Sequence, residues 1–308
     1  MQRRSSLRFL RISLCTLILY FVCLQLVGDD KADEIVAVVN GQKMTAHQLK
    51  LDFFGKLESE STRVRSREGL IEDLIDRELI RQFLSKRKVE ADPTLTNQKL
   101  AAVKTLIAKR GEKLEEVLQQ LSISEDALRA LIEQQVAWQM HVTGTLTEEE
   151  IQEYWDAHRA RFDGTEFEAS QIFLKVVPNL PESDRQSAIE KLTEIRRRIV
   201  NEEITFADAA REYSHSPSGK NAGQLGRFEF SGRVAKEIAH AALETDVGRI
   251  SKPFESPYGV HIVQVHERID GELSLEDART QVLSALSLKL WDEQVERERK
   301  TARIEIVK

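Results

Sequence analysis

Residues 258–265 read Tyr-Gly-Val-His-Ile-Val-Gln-Val, and a Gly248-Arg-Ile-Ser-Lys-Pro253 run comes shortly before them. Val260, Ile262, Val263 and Val265 are β-branched and closely spaced, which predicts a strand entered from a Gly/Pro-marked turn. Two polar residues, His261 and Gln264, sit inside it. Reading backward, Ala235–Leu243 predicts a short helix, and Phe228 and Phe230 alternate on a short strand. Residues 214–226 are rich in Ser, Gly and Pro and read as a long ordered loop. Thr205-Phe-Ala-Asp208 starts a short helix through Tyr213. Ser183-Asp-Arg-Gln186 reads as a capping box, opening a helix with Ala188, Leu192, Ile195 and Ile199. Glu168–Val176 is strand-like, with Pro178 and Pro181 after it. The predicted order is βααβαβ in about a hundred residues, a compact α+β unit.

Outward from this unit the texture changes at Phe162-Asp-Gly164 on one side and Gly271 on the other. After Gly271 a helix runs from Leu275 to about Lys300, and the chain closes on an alternating Ala-Arg-Ile-Glu-Ile-Val. Before Phe162 the chain reads as mostly helical. Leu70, Leu74, Ile75, Leu79 and Phe83 recur at helical spacing, as do Leu114, Val117, Leu118 and Leu121. Ser124 caps a further helix, and Thr147-Glu-Glu-Glu150 is a capping box. Ile35–Val39 is a strand, Asn40-Gly41 a turn and Thr45 an N-cap. A lone strand needs a partner, so 35–39 is expected to pair with the C-terminal strand. Four segments follow: 1–28, 33–162, 163–270 and 271–308. The last is expected to return to the second, so that one module encloses the other.

The chain has 308 residues, 51 acidic and 45 basic, for a formal net charge of −6. The acidic balance speaks against a dedicated nucleic-acid binder. Residues 1–28 hold Arg3, Arg4, Arg8 and Arg11 and no acid, leaving 41 basic against 51 acidic residues in the rest, a net of −10. This basic head precedes an apolar stretch, Ile12–Val27. The pattern predicts a secretory signal or a retained membrane anchor, and a protein exported to the periplasm or cell envelope. Membrane contact is expected only through this segment. Both cysteines, Cys15 and Cys23, fall inside it, so the remainder carries no disulfide, cysteine nucleophile or thiolate metal site.

Several segments together resemble a parvulin-type peptidyl-prolyl isomerase domain. They are Ala169-Ser-Gln-Ile-Phe-Leu-Lys175, Phe206-Ala-Asp-Ala-Ala-Arg-Glu-Tyr-Ser214, Gly223-Gln-Leu-Gly226 with Phe228, Gly248–Pro253 and Tyr258–Val263. The opening Ile-Val-Ala-Val-Val-Asn-Gly and the helical region resemble the chaperone module of SurA/PrsA-like isomerases. The resemblance implies an α+β protein: a helical chaperone module, completed by the C-terminal helix and strand, with an inserted parvulin-like domain. It implies cis–trans isomerisation of X–Pro bonds. Its partners would be unfolded or partly folded exported proteins and X–Pro peptides.

Matched residue by residue, the family's polar cluster falls on Gln171, Ser216, Ser256 and His261. Gln171 stands where the family has histidine, and Ser216 where it has an acid or thiol. His215 is displaced from that position by one residue. The proline seat falls on Leu225, Val234, Ile238 and Leu243, apolar but without the family's aromatic walls. A non-catalytic chaperone with a degenerate parvulin domain is therefore the alternative reading. Read without the resemblance, His261 is rather a core histidine satisfied by Ser256, and Ser216 and Ser256 are loop hydroxyls. Arg196-Arg-Arg198 reads as a solvated helix face. His261 and His266 are five apart on a strand and face opposite sides. No metal or cofactor is expected, and no phosphate loop, dinucleotide fingerprint or Gly-x-Ser-x-Gly is present.

Overall fold

The structure is a computed structural model that describes residues 34–49, 66–176 and 182–307. The predicted signal or anchor, with Cys15 and Cys23, lies outside the described residues, as do Pro178 and Pro181. Two compact units form. One takes the chain up to Leu146 and again from Ser287; the other is Thr147–Leu286.

The first unit opens with a hairpin of β1 (Ile35–Val39) and β2 (Gln42–Thr45). Asn40 and Gly41 both have positive φ, 52° and 86°, which matches the right-handed strand twist and explains the Asn-Gly pair. Thr45 N–H donates to Gln48 Oε1 at 2.8 Å, half of a capping box ahead of helical residues 46–49. Helix α1 (Arg67–Lys86) is capped by Ser66 and buries Leu70, Leu74, Ile75, Leu79 and Phe83. Ile71, Ile80 and Leu84 are buried too, so its apolar face is broader than one stripe. Helices α2 (Pro93–Lys109), α3 (Leu114–Leu121) and α4 (Glu125–Thr145) follow. They share a core of Leu100, Ile107, Leu114, Leu118, Leu128 and Ile132.

The second unit begins at α5 (Glu148–His158), whose Thr147/Glu150 capping box is complete in both directions. Then come β3 (Glu166–Lys175), α6 (Glu182–Val200), α7 (Phe206–Tyr213), β4 (Gln224–Glu229), α8 (Lys236–Glu244), β5 (Phe254–Ser256) and β6 (Gly259–Ile269). The sheet order is β4-β3-β6-β5, every pair antiparallel. One face carries Ile172, Leu174, Val260 and Ile262 against Leu192, Ile195, Phe206 and Ala209 of α6 and α7. The other carries Phe167, Ala169, Val263 and Val265 against Ile238, Ala239 and Ala242 of α8. Several details differ from the sequence reading, among them that β4 ends at Glu229 and leaves Phe230 beyond it. Strand β5 was not expected, because three residues between Pro253 and Pro257 are too few to show alternation. Ser183 lies in the first turn of α6 rather than ahead of it. Arg196 is not a solvated side chain: its Nε donates to the carbonyls of Ile250 (3.3 Å) and Ser251 (2.9 Å), fixing the turn before β5.

Helix α9 (Leu275–Arg299) and strand β7 (Ile304–Ile306) end the chain. Strand β7 pairs antiparallel with β1, Val38 opposite Glu305, as the lone-strand argument required. The first unit thus owns a three-stranded sheet, β2-β1-β7, built from both ends of the chain. Arg299 ties α9 to α1 through Glu72 at 2.7 Å and through Asp76. Burial pushes the Asp76 carboxyl up despite that guanidinium. The two compact units divide at 146/147 and 286/287. The flanking segments bond within the second unit: Asp163 O accepts from Leu273 N (2.9 Å), Thr165 Oγ1 from Gly271 N (3.1 Å), and Glu148 pairs with Arg279.

Candidate functional site

On the α8 face the sheet core gives way at one end to polar side chains. Gln171 and Phe173 are two residues apart on β3, so they share a face. Register places Phe173 opposite His261, and Phe254 of β5 opposite His261 from the other side. The imidazole is consequently stacked between two rings, with centroids 4.6 Å from Phe173 and 5.4 Å from Phe254. His261 is 4% exposed.

Gln171 is held by its backbone. Its N–H donates to Gly223 O at 2.8 Å, where a bulge shifts the β3–β4 register. Gly223 has φ +78°, and a Cβ there would stand 2.3 Å from Gln171 O, so the loop approaches β3 this closely only with glycine. Ser216 caps the short turn Pro217–Asn221, its hydroxyl accepting from Ser218 N at 3.3 Å. Ser256 ends β5 two residues before Tyr258, whose N–H it accepts at 3.1 Å.

These four side chains form one connected chain of hydrogen bonds. Ser256 Oγ lies 2.7 Å from His261 Nε2, and His261 Nδ1 lies 3.1 Å from Gln171 Oε1. Gln171 Nε2 donates to Ser216 Oγ at 3.4 Å, and Ser216 meets the Ser218 hydroxyl at 3.0 Å. With an amide oxygen on one side, Nδ1 carries the imidazole proton, and Nε2 accepts from Ser256. Burial pushes the His261 imidazolium down to about 4, so the ring is neutral around pH 7. No carboxylate or thiolate takes part.

Ser256→Ala removes both the donor to Nε2 and the acceptor of the Tyr258 N–H. It is expected to lower stability by about 1–3 kcal/mol, the cost of a buried polar group left unmade. Urea unfolding checks this, and an unchanged midpoint would mean that Gln171 alone holds the histidine.

His215 takes no part in this chain. Its Nδ1 accepts from Lys175 N at 3.0 Å and its own N–H donates to Phe173 O at 2.7 Å, closing the edge of β3. Ser214 likewise accepts from Phe173 N at 3.1 Å. His266 bonds Ser170 Oγ at 2.8 Å, away from His261. The apolar residues Leu225, Val234, Ile238 and Leu243 all pack on one cluster, joined by Phe228, Phe230 and Phe254. Aromatic rings are therefore present, although on other positions than the family's. Ile238 is buried and the other three are half-buried; Leu243 also lines a cavity that it shares with Arg161 and Arg268. Sequence reasoning missed Phe173, Phe254 and Ser218. The first was within reach, two residues from Gln171 on an alternating strand; the second needed the unseen β5.

Among the described residues, no group of three or more His, Cys, Asp or Glu is placed to hold a metal. No helix there is long and apolar enough to cross a membrane.

The antiparallel sheet with α6 and α7 on one face and α8 on the other, with a buried histidine at its polar end, is a rotamase arrangement. The PPIC-type PPIASE rotamase domain matches residues 172–267. A putative peptidyl-prolyl cis-trans isomerase SurA from Haemophilus influenzae is 30% identical over 276 residues, 82% of this chain and 83% of that protein. A foldase protein PrsA from Halalkalibacterium halodurans is 28% identical over 274 residues, 85% of this chain and 75% of that protein. A chaperone SurA from Albidiferax ferrireducens is 34% identical over 129 residues, and the match spans only 27% of that longer protein. The chain belongs to the SurA/PrsA-like family of parvulin-domain peptidyl-prolyl isomerases and chaperones.

Proposed function

We propose that this chain is an exported folding factor that binds unfolded polypeptides and rotates their X–Pro bonds at the His261 site. The observation that carries the reading is the unbroken hydrogen-bond chain Ser256–His261–Gln171–Ser216, lying beside an apolar cluster. Rotation about X–Pro breaks no bond, so it needs neither a nucleophile nor a titrating acid. It needs a seat that grips the proline ring while the amide loses its resonance, against an uncatalysed time of tens of seconds or more. A neutral dipolar chain serves that purpose as an environment, and a glutamine in place of a histidine keeps the chain intact. Leu225, Val234, Ile238 and Leu243 seat the ring in this reading. Export rests on the basic head and the Ile12–Val27 stretch.

A second reading is a holding chaperone without turnover. It is favoured by one feature: the polar atoms of Ser256 and His261 are spent on each other and on Gln171, with both residues almost fully buried.

A proline-limited refolding assay with the full chain separates the two. Catalysis predicts acceleration at micromolar protein that His261→Ala abolishes. Suppression of client aggregation without acceleration sinks the enzymatic reading and leaves the holding one.

A further inference from the structure

A cavity of about 570 Å³ opens within the second unit, between the turn after α5 and the end of β6. Its cations Arg159, Arg161 and Arg268 lie outside the matched rotamase segment 172–267, two before it and one beyond it. Each carboxylate of the cavity wall has a partner. Asp163 is buried; its Oδ1 accepts from Thr165 N (2.9 Å) and Oγ1 (2.6 Å), and its Oδ2 faces Arg159 at 3.4 Å. Asp270 faces Arg268 at 3.7 Å, and Asp156 accepts from Gln152 Nε2 at 3.0 Å.

Arg161 differs from its neighbours. It has no acidic group within ion-pair distance among the described residues, and its buried Nε has no hydrogen-bond partner there. Two aromatic rings fix its guanidinium instead, Phe230 at 4.8 Å and Phe162 at 5.7 Å. A guanidinium held by ring faces keeps its planar fork oriented, and that fork matches a carboxylate in bidentate geometry. The cavity also touches the apolar cluster. Leu243 lines it, and Phe230, beneath Arg161, packs on the same cluster as Leu225 and Val234.

We propose that this cavity takes a carboxylate of the client polypeptide, presented near the residue seated on that cluster. The inference rests on the client-binding reading above and gives it a charge preference. A side-chain carboxylate and a C-terminal one offer the same chemistry, and the test separates them.

The test uses the full chain and a labelled, proline-containing decapeptide in four versions. One position is Glu or Gln, and the C-terminus is a free acid or an amide. Fluorescence anisotropy gives the affinities. A charge-assisted bond predicts about tenfold tighter binding for the version carrying the recognised carboxylate. Arg161→Gln removes that preference while leaving the affinity of the Gln-amide version within about twofold, and Arg161→Lys, which keeps the charge without the fork, retains part of it. A preference that survives Arg161→Gln overturns the proposal. Equal binding of all four versions overturns it alone. If none of the four binds, the client-binding reading falls with it. Thermal unfolding of each variant verifies that the comparison is between folded proteins.

Discussion

Gly259→Ala is expected to unfold the parvulin-like unit or to cost it about 3–6 kcal/mol, the sum of backbone strain and overpacking. Gly259 opens β6 with φ +147°, a conformation that side-chain-bearing residues rarely adopt. A Cβ there would stand 2.1 Å from Leu174 O of the neighbouring strand and 2.7 Å from Val176 N just beyond it, both backbone atoms. Neither atom has a rotamer to change, so strands β3 and β6 must separate at the end that holds Phe173, Ser256 and His261. Gly248→Ala is the natural comparison. Its φ is +80°, but nothing lies within 4 Å of the added carbon. It should cost only the conformational part, about 1–2 kcal/mol. Urea titrations of both variants test the argument, and equal losses would show that the close strand approach is not what Gly259 protects.

Acidification is expected to destabilise the protein through His261. The unfolded chain takes up this proton near pH 6.5, whereas the folded chain resists it down to about 4, because burial between Phe173 and Phe254 penalises the charged ring. The unfolded state therefore binds more protons between those values. Stability is fully present above about pH 6.5 and falls as pH drops toward 4, by about 3 kcal/mol from this one group. Burial also pushes His141 and His240 down. Their contributions persist in His261→Gln and cancel in the comparison. Stability measured at pH 7 and pH 4 for the two proteins should show the wild type losing about 3 kcal/mol more. Parallel losses would mean that the imidazole is solvated enough to titrate normally.

Capping chemistry and period were the most readable parts of this chain. Thr147 and Glu150 announce α5, Ser124 announces α4, and the Leu70–Phe83 spacing draws α1, because these signals are complete within a few residues. The β1–β7 pairing was legible for a different reason: each strand reads as lone in the sequence, although β1 also pairs with β2, a strand too short to show alternation. The unit boundaries were not legible. Gly164 and Gly271 look like breaks, yet a Cβ on Gly271 would lie 2.0 Å from Asp163 O. The two glycines thus mark a close contact between flanking segments rather than an edge. At the site, Gln171, Ser216, Ser256 and His261 could be picked out one by one from their resemblance. Their order of connection could not, since it depends on β3–β6–β5 register. His215, beside Ser216 in sequence, is turned away by its own bonds to the β3 backbone at Phe173 and Lys175.

The sheet β2-β1-β7 has a consequence for how the molecule is made. A ribosome adding about 5–20 residues per second finishes β1 tens of seconds before β7 exists. Thr147–Leu286 is one uninterrupted stretch, so its nascent chain can close on itself while the C-terminal strand is still unmade. During that interval the β1–β2 hairpin has an open edge, and a two-stranded hairpin is marginal in water. The three-stranded sheet of the helical unit thus cannot be completed until the last strand is made. A folding helper of this design spends its own synthesis with an unpaired strand edge, the same hazard its proposed clients present.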